Sequence, residues 1–297
     1  MRILVTGCNG FIGNYICKAL YDKGHIVIGT DLNECKVSKI SSFISSDISS
    51  SSFLEDIKAD ISKCDCIVHT AAKISYNDFD GDLIIVNCCG AANVLKLAKD
   101  ISCKKIVNIS SSPIVGVPLS HPIDEYHPIY PSSLYHATKV MQEYVFGLSK
   151  KYGITSINIR VPSPIGIGMN PKTILSTFIE CCLNNEPLVI MGNGSRMQDY
   201  VDVRDVANFT CLCVETTLND DTFIAASENP ISNIELAKKC IKISGSTSQM
   251  IIGTTPDPQD GIIWDYDCKH ARSIGFSTKY TIDDTINDII TEKRNNY

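Results

Sequence analysis

Positive charge is scarce in this chain. Its 27 Lys and Arg face 33 Asp and Glu, the formal net charge is -6, and no basic cluster stands out. Phosphate backbones are held by concentrated positive charge, so nucleic acid is excluded as the main partner. No apolar run approaches the roughly 20 residues that cross a bilayer, which excludes a membrane span. The start, Met1-Arg2-Ile3-Leu4-Val5-Thr6-Gly7, passes from a short apolar run into glycine without the apolar core and cleavage region of a secretion signal. These absences predict a soluble, cytoplasmic protein. Metal-ligand spacing is missing as well. Cys64/Cys66, Cys88/Cys89, Cys181/Cys182 and Cys211/Cys213 are closer than a Cys-x-x-Cys pair, and none has a histidine at zinc spacing. Most of the fourteen cysteines lie in apolar segments, where a free thiol acts as a small hydrophobe. The expectation is reduced, structural thiols and no metal site.

What the chain does have is alternation. With 44% hydrophobic and 20% charged residues over 297 positions, it suits one or two domains with a substantial core. Arg2 to Thr6 reads as a strand, Gly7 to Gly13 as a tight turn, and the apolar period through Leu20 as a helix. Glycines at 7, 10 and 13 permit the turn, close approach of backbone to a pyrophosphate, and helix-on-strand packing. A second apolar run, His25 to Thr30, ends in Asp31, 18 residues after Gly13. A carboxylate there accepts both ribose hydroxyls of an adenosine and repels a 2'-phosphate, which points to NAD rather than NADP. Lys36 is the nearest basic residue after it. A third strand, Phe43 to Ile48, carries Asp47 within reach of an adenine amino group.

Further strands are expected at Cys66 to Ala72, Lys105 to Ile109 and Ile154 to Val161, with helices at about 52–59, 82–99 and 133–150. His69 reads as a packed strand residue. Asn93, at mid-helix, is costly there unless it serves packing or a water. Ser110, Ser111 and Ser112 follow a buried strand, where open α/β sheets bind ligands. Tyr135 and Lys139 are four apart on a helix capped by Ser132 or Ser133. The ammonium can therefore sit beside the phenol and lower its pKa, giving a group that moves a hydroxyl proton near neutral pH. The buried stripe of this helix is expected to be Ala137, Val140, Met141, Tyr144, Val145 and Leu148, with Tyr135 and Lys139 at its border. The order of elements predicts an α/β fold, a doubly wound parallel sheet with a small carboxyl-terminal substrate lobe. Residues 1–165 would form the nucleotide domain and 166–297 mainly the lobe, some segments returning to the sheet. Trp264 reads as lobe core rather than as a platform for a base.

Taken in order, these motifs resemble the extended short-chain dehydrogenase/reductase family, within it the NAD-dependent sugar-nucleotide epimerase/dehydratase group. The matching features are Thr6-Gly7-x-x-Gly10-x-x-Gly13, Asp31, Asp47, Ala71-Ala72, Asn87-x-x-Gly90 and Ser110-Ser111-Ser112. They continue with Tyr135-x-x-x-Lys139, Arg160-x-Pro162-x-Pro164-x-Gly166, and Gly192-x-Gly194 before Asp199-Tyr200-Val201. They span nearly the whole chain and imply a Rossmann-like fold. The resemblance implies that NAD is held by Gly7, Asn9, Gly10, Phe11, Ile12, Gly13, Asp31, Asp47, Ile48, Ala71, Ala72, Lys73, Asn87, Ser110, Tyr135, Lys139 and Pro162. It implies that Tyr135 is the acid/base, that Lys139 lowers its pKa and holds the nicotinamide ribose, and that Ser111 hydrogen-bonds the reacting oxygen. An epimerase of this kind oxidises a sugar carbon, turns the ketone over and returns the hydride to its other face.

Departures from the pattern bear on substrate and reaction. Dehydratases of the group place an Asp-Glu pair where this chain has Ser112-Pro113, so dehydration is disfavoured. Val115 replaces the family's Tyr. Ser163 and Gln198 occupy positions where many epimerases use Asn and Arg against the substrate diphosphate; Arg196 is the nearby substitute. With Ser112, these are the substrate-binding candidates. The loop at 253–261 has no arginine, and Arg272 comes later. The expected partner is a nucleotide sugar, and the resemblance suggests a homodimer through the helices around 82–99 and 133–150. Two alternatives carry different tests: an NAD(H)-dependent dehydrogenase or ketoreductase of a small carbonyl would need added cofactor, and a non-catalytic NAD-binding regulator would have no use for Ser111, Tyr135 and Lys139.

Overall fold

A computed structural model describes residues 1–295. The first half runs β1 (Arg2–Thr6), α1 (Phe11–Asp22), β2 (Ile26–Asp31), β3 (Ser42–Ser45), α2 (Phe53–Asp60) and β4 (Cys66–His69). A π-helical segment, Ile84–Cys89, leads into α3 (Gly90–Asp100), followed by β5 (Lys105–Ser111) and a short 3-10 turn, Ser112–Val115. Then come α4 (Leu134–Gly147) and β6 (Thr155–Val161). Beyond it lie β7 (Ser163–Ile165), α5 (Ile174–Leu183), β8 (Leu188–Ile190), β9 (Met197–Gln198), β10 (Tyr200–Asp202) and α6 (Val203–Glu215). The chain continues through β11 (Asp221–Ile224), β12 (Ile231–Ser232), α7 (Asn233–Ser244), β13 (Met250–Ile252), α8 (Lys269–Ser273) and α9 (Ile282–Asn295).

Seven strands form one parallel sheet in the order β11-β6-β5-β4-β1-β2-β3. Successive side chains of β1 enter opposite cores: Ile3 and Val5 join the one that includes α1 and α6, Leu4 the one that includes α2 and α3. Burial on both faces is what a parallel sheet requires and explains the near-continuous apolar runs. Strand order reverses between β1 and β4, opening a crevice at their carboxyl ends. A third core, built from α5, α7, α9 and the short strands around them, forms the lobe above that edge. β11 and α6 return to the sheet domain from the later half.

Four expectations need correction. The third strand stops at Ser45, and Asp47 lies in the turn that follows. The stretch before α3 is π-helical rather than regular α-helix. The largest difference is α4. Its buried residues are Thr138, Lys139, Gln142 and Phe146, whereas Met141 and Tyr144 are 48% and 71% exposed. The helix buries polar side chains because each finds a partner inside, so apolar periodicity alone marked the wrong face. Trp264 is indeed buried, but in the core shared with the sheet rather than in that of the lobe.

Candidate active site

The crevice is shaped by backbone contact. Gly7 has φ +71°, and a Cβ there would lie 2.7 Å from the Ala71 backbone. At Gly13 a Cβ would stand 2.1 Å from the Gly7 carbonyl. The Thr70 hydroxyl donates to the carbonyls of Thr6 and Gly7, at 2.7 and 3.1 Å, tying the two strand ends together. Helix α1 begins after Gly10 with no side-chain cap and no acidic residue in its first turn. The N–H groups of Phe11, Ile12 and Gly13 thus meet the crevice as an anion site.

Asp31 is placed at the rim by two backbone donors, Asn9 N to Oδ2 at 3.0 Å and Leu32 N to Oδ1 at 2.8 Å. A carboxylate has lone pairs left for two ribose hydroxyls after these bonds. The Asn9 side chain serves the protein itself. It donates to the Asn33 and Glu34 carbonyls and accepts from Lys36 N, fixing the loop after β2. Asp47 Oδ1 takes the Ser49 N–H and hydroxyl, which leaves Oδ2 without a partner among the described residues. Ile48 packs its side chain against Gly90 and its carbonyl accepts from Asn93 at 2.9 Å. That bond is why Asn93 is tolerated at mid-helix. β4 ends at His69 rather than at Ala72, so Ala71, Ala72 and Lys73 lie in the loop beyond it, and Asn87 clamps Lys73 by accepting from its N–H at 2.8 Å and donating to its carbonyl at 3.0 Å. The Lys73 ammonium pairs with Asp80 and Asp82. Pro162 ends β6 at the same edge of the sheet.

Ser111 is the last residue of β5, 8% exposed, and its hydroxyl has no hydrogen bond among the described residues. Ser110 is committed as a donor: its hydroxyl donates to Glu143 at 2.6 Å, which leaves its oxygen lone pairs and its backbone for a cofactor. Glu143 in turn holds Arg160 through two bonds, at 3.0 and 2.9 Å. Removing one partner of such a buried pair costs about 3–5 kcal/mol. Ser133 caps α4, accepting from His136 N. Lys139 projects into the core, where Nζ donates to the Ile109 carbonyl at 2.9 Å and to Gln142 Oε1 at 3.0 Å.

The expected lowering of the Tyr135 pKa is not what this arrangement gives. Burial pushes the phenol above its ordinary value, with Tyr76 adding to the rise. Lys139 Nζ is 6.0 Å from the ring centroid, and burial brings the lysine itself down to about 8, opposed by Glu143. Desolvation therefore outweighs the ammonium's pull, and the protein alone holds a neutral phenol beside an amine poised near neutrality. His69 is a packed residue, as expected. It is fully buried, meets the Phe146 ring edge-on at 5.1 Å, and is driven neutral by burial, to about 3.

On the lobe side, β7 pairs with β10 so that Ser163 lies opposite Tyr200. Gln198, beside that pair, donates to the Ser163 hydroxyl and accepts from Arg196 Nη2 at 2.9 Å. The three substrate candidates are thus one chain of side chains with a guanidinium at its end. Ser112 is different. Its hydroxyl is buried next to that of Tyr266, yet the two do not meet hydrogen-bond geometry and neither has another partner among the described residues. Asp199 is fully buried, accepts from Ser227 N and Asn229 N at 2.7 and 3.2 Å, and is lifted by burial to about 6. The loop at 253–261 docks through Asp260, whose Oδ2 accepts from Asn193 N at 2.8 Å. A Cβ on Gly192 would collide with that carboxylate. Arg272 pairs with Glu228, away from the Arg196 chain.

The residue model of the NAD dependent epimerase/dehydratase family matches residues 3–225. The chain belongs to this family. A putative UDP-glucose 4-epimerase of Methanocaldococcus jannaschii is 28% identical and covers 99% of both chains. UDP-glucose 4-epimerase of Mycolicibacterium smegmatis is 31% identical over 70% of this chain and 71% of its own. In three dimensions, the UDP-glucose 4-epimerase of Thermotoga maritima, solved with UDP-glucose, superposes with a TM-score of 0.91 at 24% identity, covering 100% of this chain and 99% of the other. Membership makes NAD the cofactor to be fitted, and the cradle fits it: an uncapped helix start, a glycine turn closed to any side chain, and a carboxylate at the second strand end. Gln142 and Tyr266 were missed in the sequence. Gln142 was findable, since a residue three after Lys139 shares its helix face.

Proposed function

We propose that this protein is an NAD-dependent epimerase of a nucleotide sugar, inverting a hydroxyl-bearing carbon, C4 in the first instance. The observation that carries this reading is that Lys139 Nζ lies 6.0 Å from the Tyr135 ring and donates to the Ile109 carbonyl, two residues before Ser111 at the carboxyl end of β5. NAD supplies, when bound there, a hydride acceptor next to the sugar. Tyr135, through its hydroxyl, takes the proton of the reacting sugar hydroxyl and gives it back, while Ser111 donates to the same oxygen. Lys139 contributes fixed positive charge below pH about 8. Ser112-Pro113 offers no acid or base after Ser111, which speaks against dehydration. The Arg196-Gln198-Ser163 chain supports a diphosphate on the lobe side, because a guanidinium at its end suits phosphate oxygens. The relatives named above, called UDP-glucose 4-epimerases, favour a uridine diphosphate sugar.

The protein is further read as a cytoplasmic homodimer. Ile84, Ile85, Met141 and Tyr144 are exposed on the π-helical segment and α4, an apolar face suited to a second copy. The fourteen free thiols fit a reducing compartment. No helix among the described residues is long and apolar enough to cross a membrane. The test is to denature freshly purified protein, identify the released small molecules by mass spectrometry, and incubate native protein with nucleotide sugars. Released NAD and an isomer of equal mass support the reading. Product only with added NAD(H), accompanied by net oxidation or reduction, would replace it with a dehydrogenase or reductase.

A further inference from the structure

Gln142 is fully buried one turn beyond Lys139, in a pocket where every neighbouring polar group has a fixed role. Its orientation follows from chemistry. Nε2 lies 3.1 Å from the Asn87 carbonyl, which can only accept, so the amide nitrogen must face Asn87 and Oε1 must face Lys139. The second hydrogen of Nε2 points at His69 Nε2, 3.3 Å away, which is then an acceptor. His69 consequently carries its proton on Nδ1 and donates it to Thr6 Oγ1 at 2.9 Å. Thr6 directly precedes Gly7 of the cofactor turn. One continuous polar chain thus joins the glycine turn, β4, the π-helical segment and the catalytic helix.

We propose that Gln142 is the positioning residue for Lys139, fixing its ammonium through Oε1 while the Asn87–His69–Thr6 chain fixes Gln142. The inference rests on the epimerase reading only for its kinetic consequence. With two of its three N–H donors held by Ile109 and Gln142, Lys139 keeps one free for the ribose and Tyr135 side of the crevice. The groups facing the ammonium are few. Tyr135, His136 and Glu143 lie on its own helix, Glu143 being held by Arg160 and Ser110; β4 presents neutral His69, β5 only the Ile109 carbonyl, and the π-helical segment uncharged Asn87. Among the described residues, Gln142 is therefore the uncharged side chain that accepts from the ammonium and stabilises its charged form.

The experiment compares Gln142→Met, which loses the acceptor, with Gln142→Glu, which keeps it and adds charge. Lysine labelled with carbon-13 at Cε is followed by NMR against pH in the full-length protein, with Lys139→Met as the assignment control. Starting from about 8, the Lys139 midpoint should fall by about one unit in Gln142→Met and rise by about one unit in Gln142→Glu. The alkaline limb of kcat should move the same way. A residue that merely fills space would lower stability in Gln142→Met yet leave its midpoint within about 0.2 unit of the wild type, which overturns the proposal. If Gln142→Met does not fold, Gln142→Asn decides: its shorter amide cannot reach Nζ, so the Lys139 midpoint should fall, and an unmoved midpoint overturns the proposal. Should the wild type prove not to be an epimerase, the NMR midpoints still give their answer.

Discussion

At the nucleotide end of the crevice, Asn9, Asn87, His69 and Gln142 each satisfy their polar atoms within the protein, and Asp31 is aimed by two backbone donors. At the lobe end, Arg196 Nε, Tyr200 OH and Gln259 Oε1 are buried with no hydrogen-bond partner among the described residues, against Thr30 Oγ1 beside Asp31 at the nucleotide end. A closed network holds one shape, while unpartnered groups acquire their geometry from what binds. The comparison assigns the two ends different work. On the proposed reading, the nucleotide end holds the cofactor in a fixed network and the lobe end carries what distinguishes the substrate.

Four substitutions probe that division. Gly13→Val drives side-chain atoms into the Gly7 carbonyl, where a Cβ already stands at 2.1 Å. NAD affinity measured by calorimetry should fall by about 10³-fold, and Tm should drop with it. An unchanged affinity would mean that the glycine turn is not the cradle. Tyr135→Phe should lower turnover by about 10²-fold or more while retained NAD and Tm stay near wild type, because only the proton-transfer group is lost. Comparable turnover would remove Tyr135 from the mechanism. Asp31→Ala is expected to weaken NAD by about 10-fold and to erase the preference over NADP. A preference that survives would pass the selection to Lys36 or another group. Arg196→Met should raise KM about 10-fold with NAD retention unaltered. If NAD retention fell equally, the two ends would be one coupled network and the contrast would collapse.

The same contrast explains what could be read in advance. Gly7, Gly10, Gly13 and Asp31 answer to backbone geometry and to a carboxylate position counted along the chain, so they are visible as spacing. β5, expected at Lys105 to Ile109, runs Lys105–Ser111, because a strand buried on both faces reads as a near-continuous apolar run. α4 misled because its buried face is polar: Lys139 and Gln142 lie inside through hydrogen bonds made across 30 to 73 residues of sequence, which periodicity does not encode. The phenol's pKa was misjudged for a similar reason, since a Tyr–Lys spacing reveals the charge but not the desolvation. Tyr266 reaches Ser112 from 154 residues away in a loop without a motif. Nothing local could have announced it.

The most direct test of the account is the fate of hydrogen at the inverted carbon. A nucleotide hexose carrying deuterium on that carbon is turned over in ordinary water, and the product is examined by NMR. Transient oxidation and return of the same hydride predicts an epimer that keeps its deuterium. Loss of the label to solvent would contradict the mechanism built on Ser111, Tyr135 and Lys139.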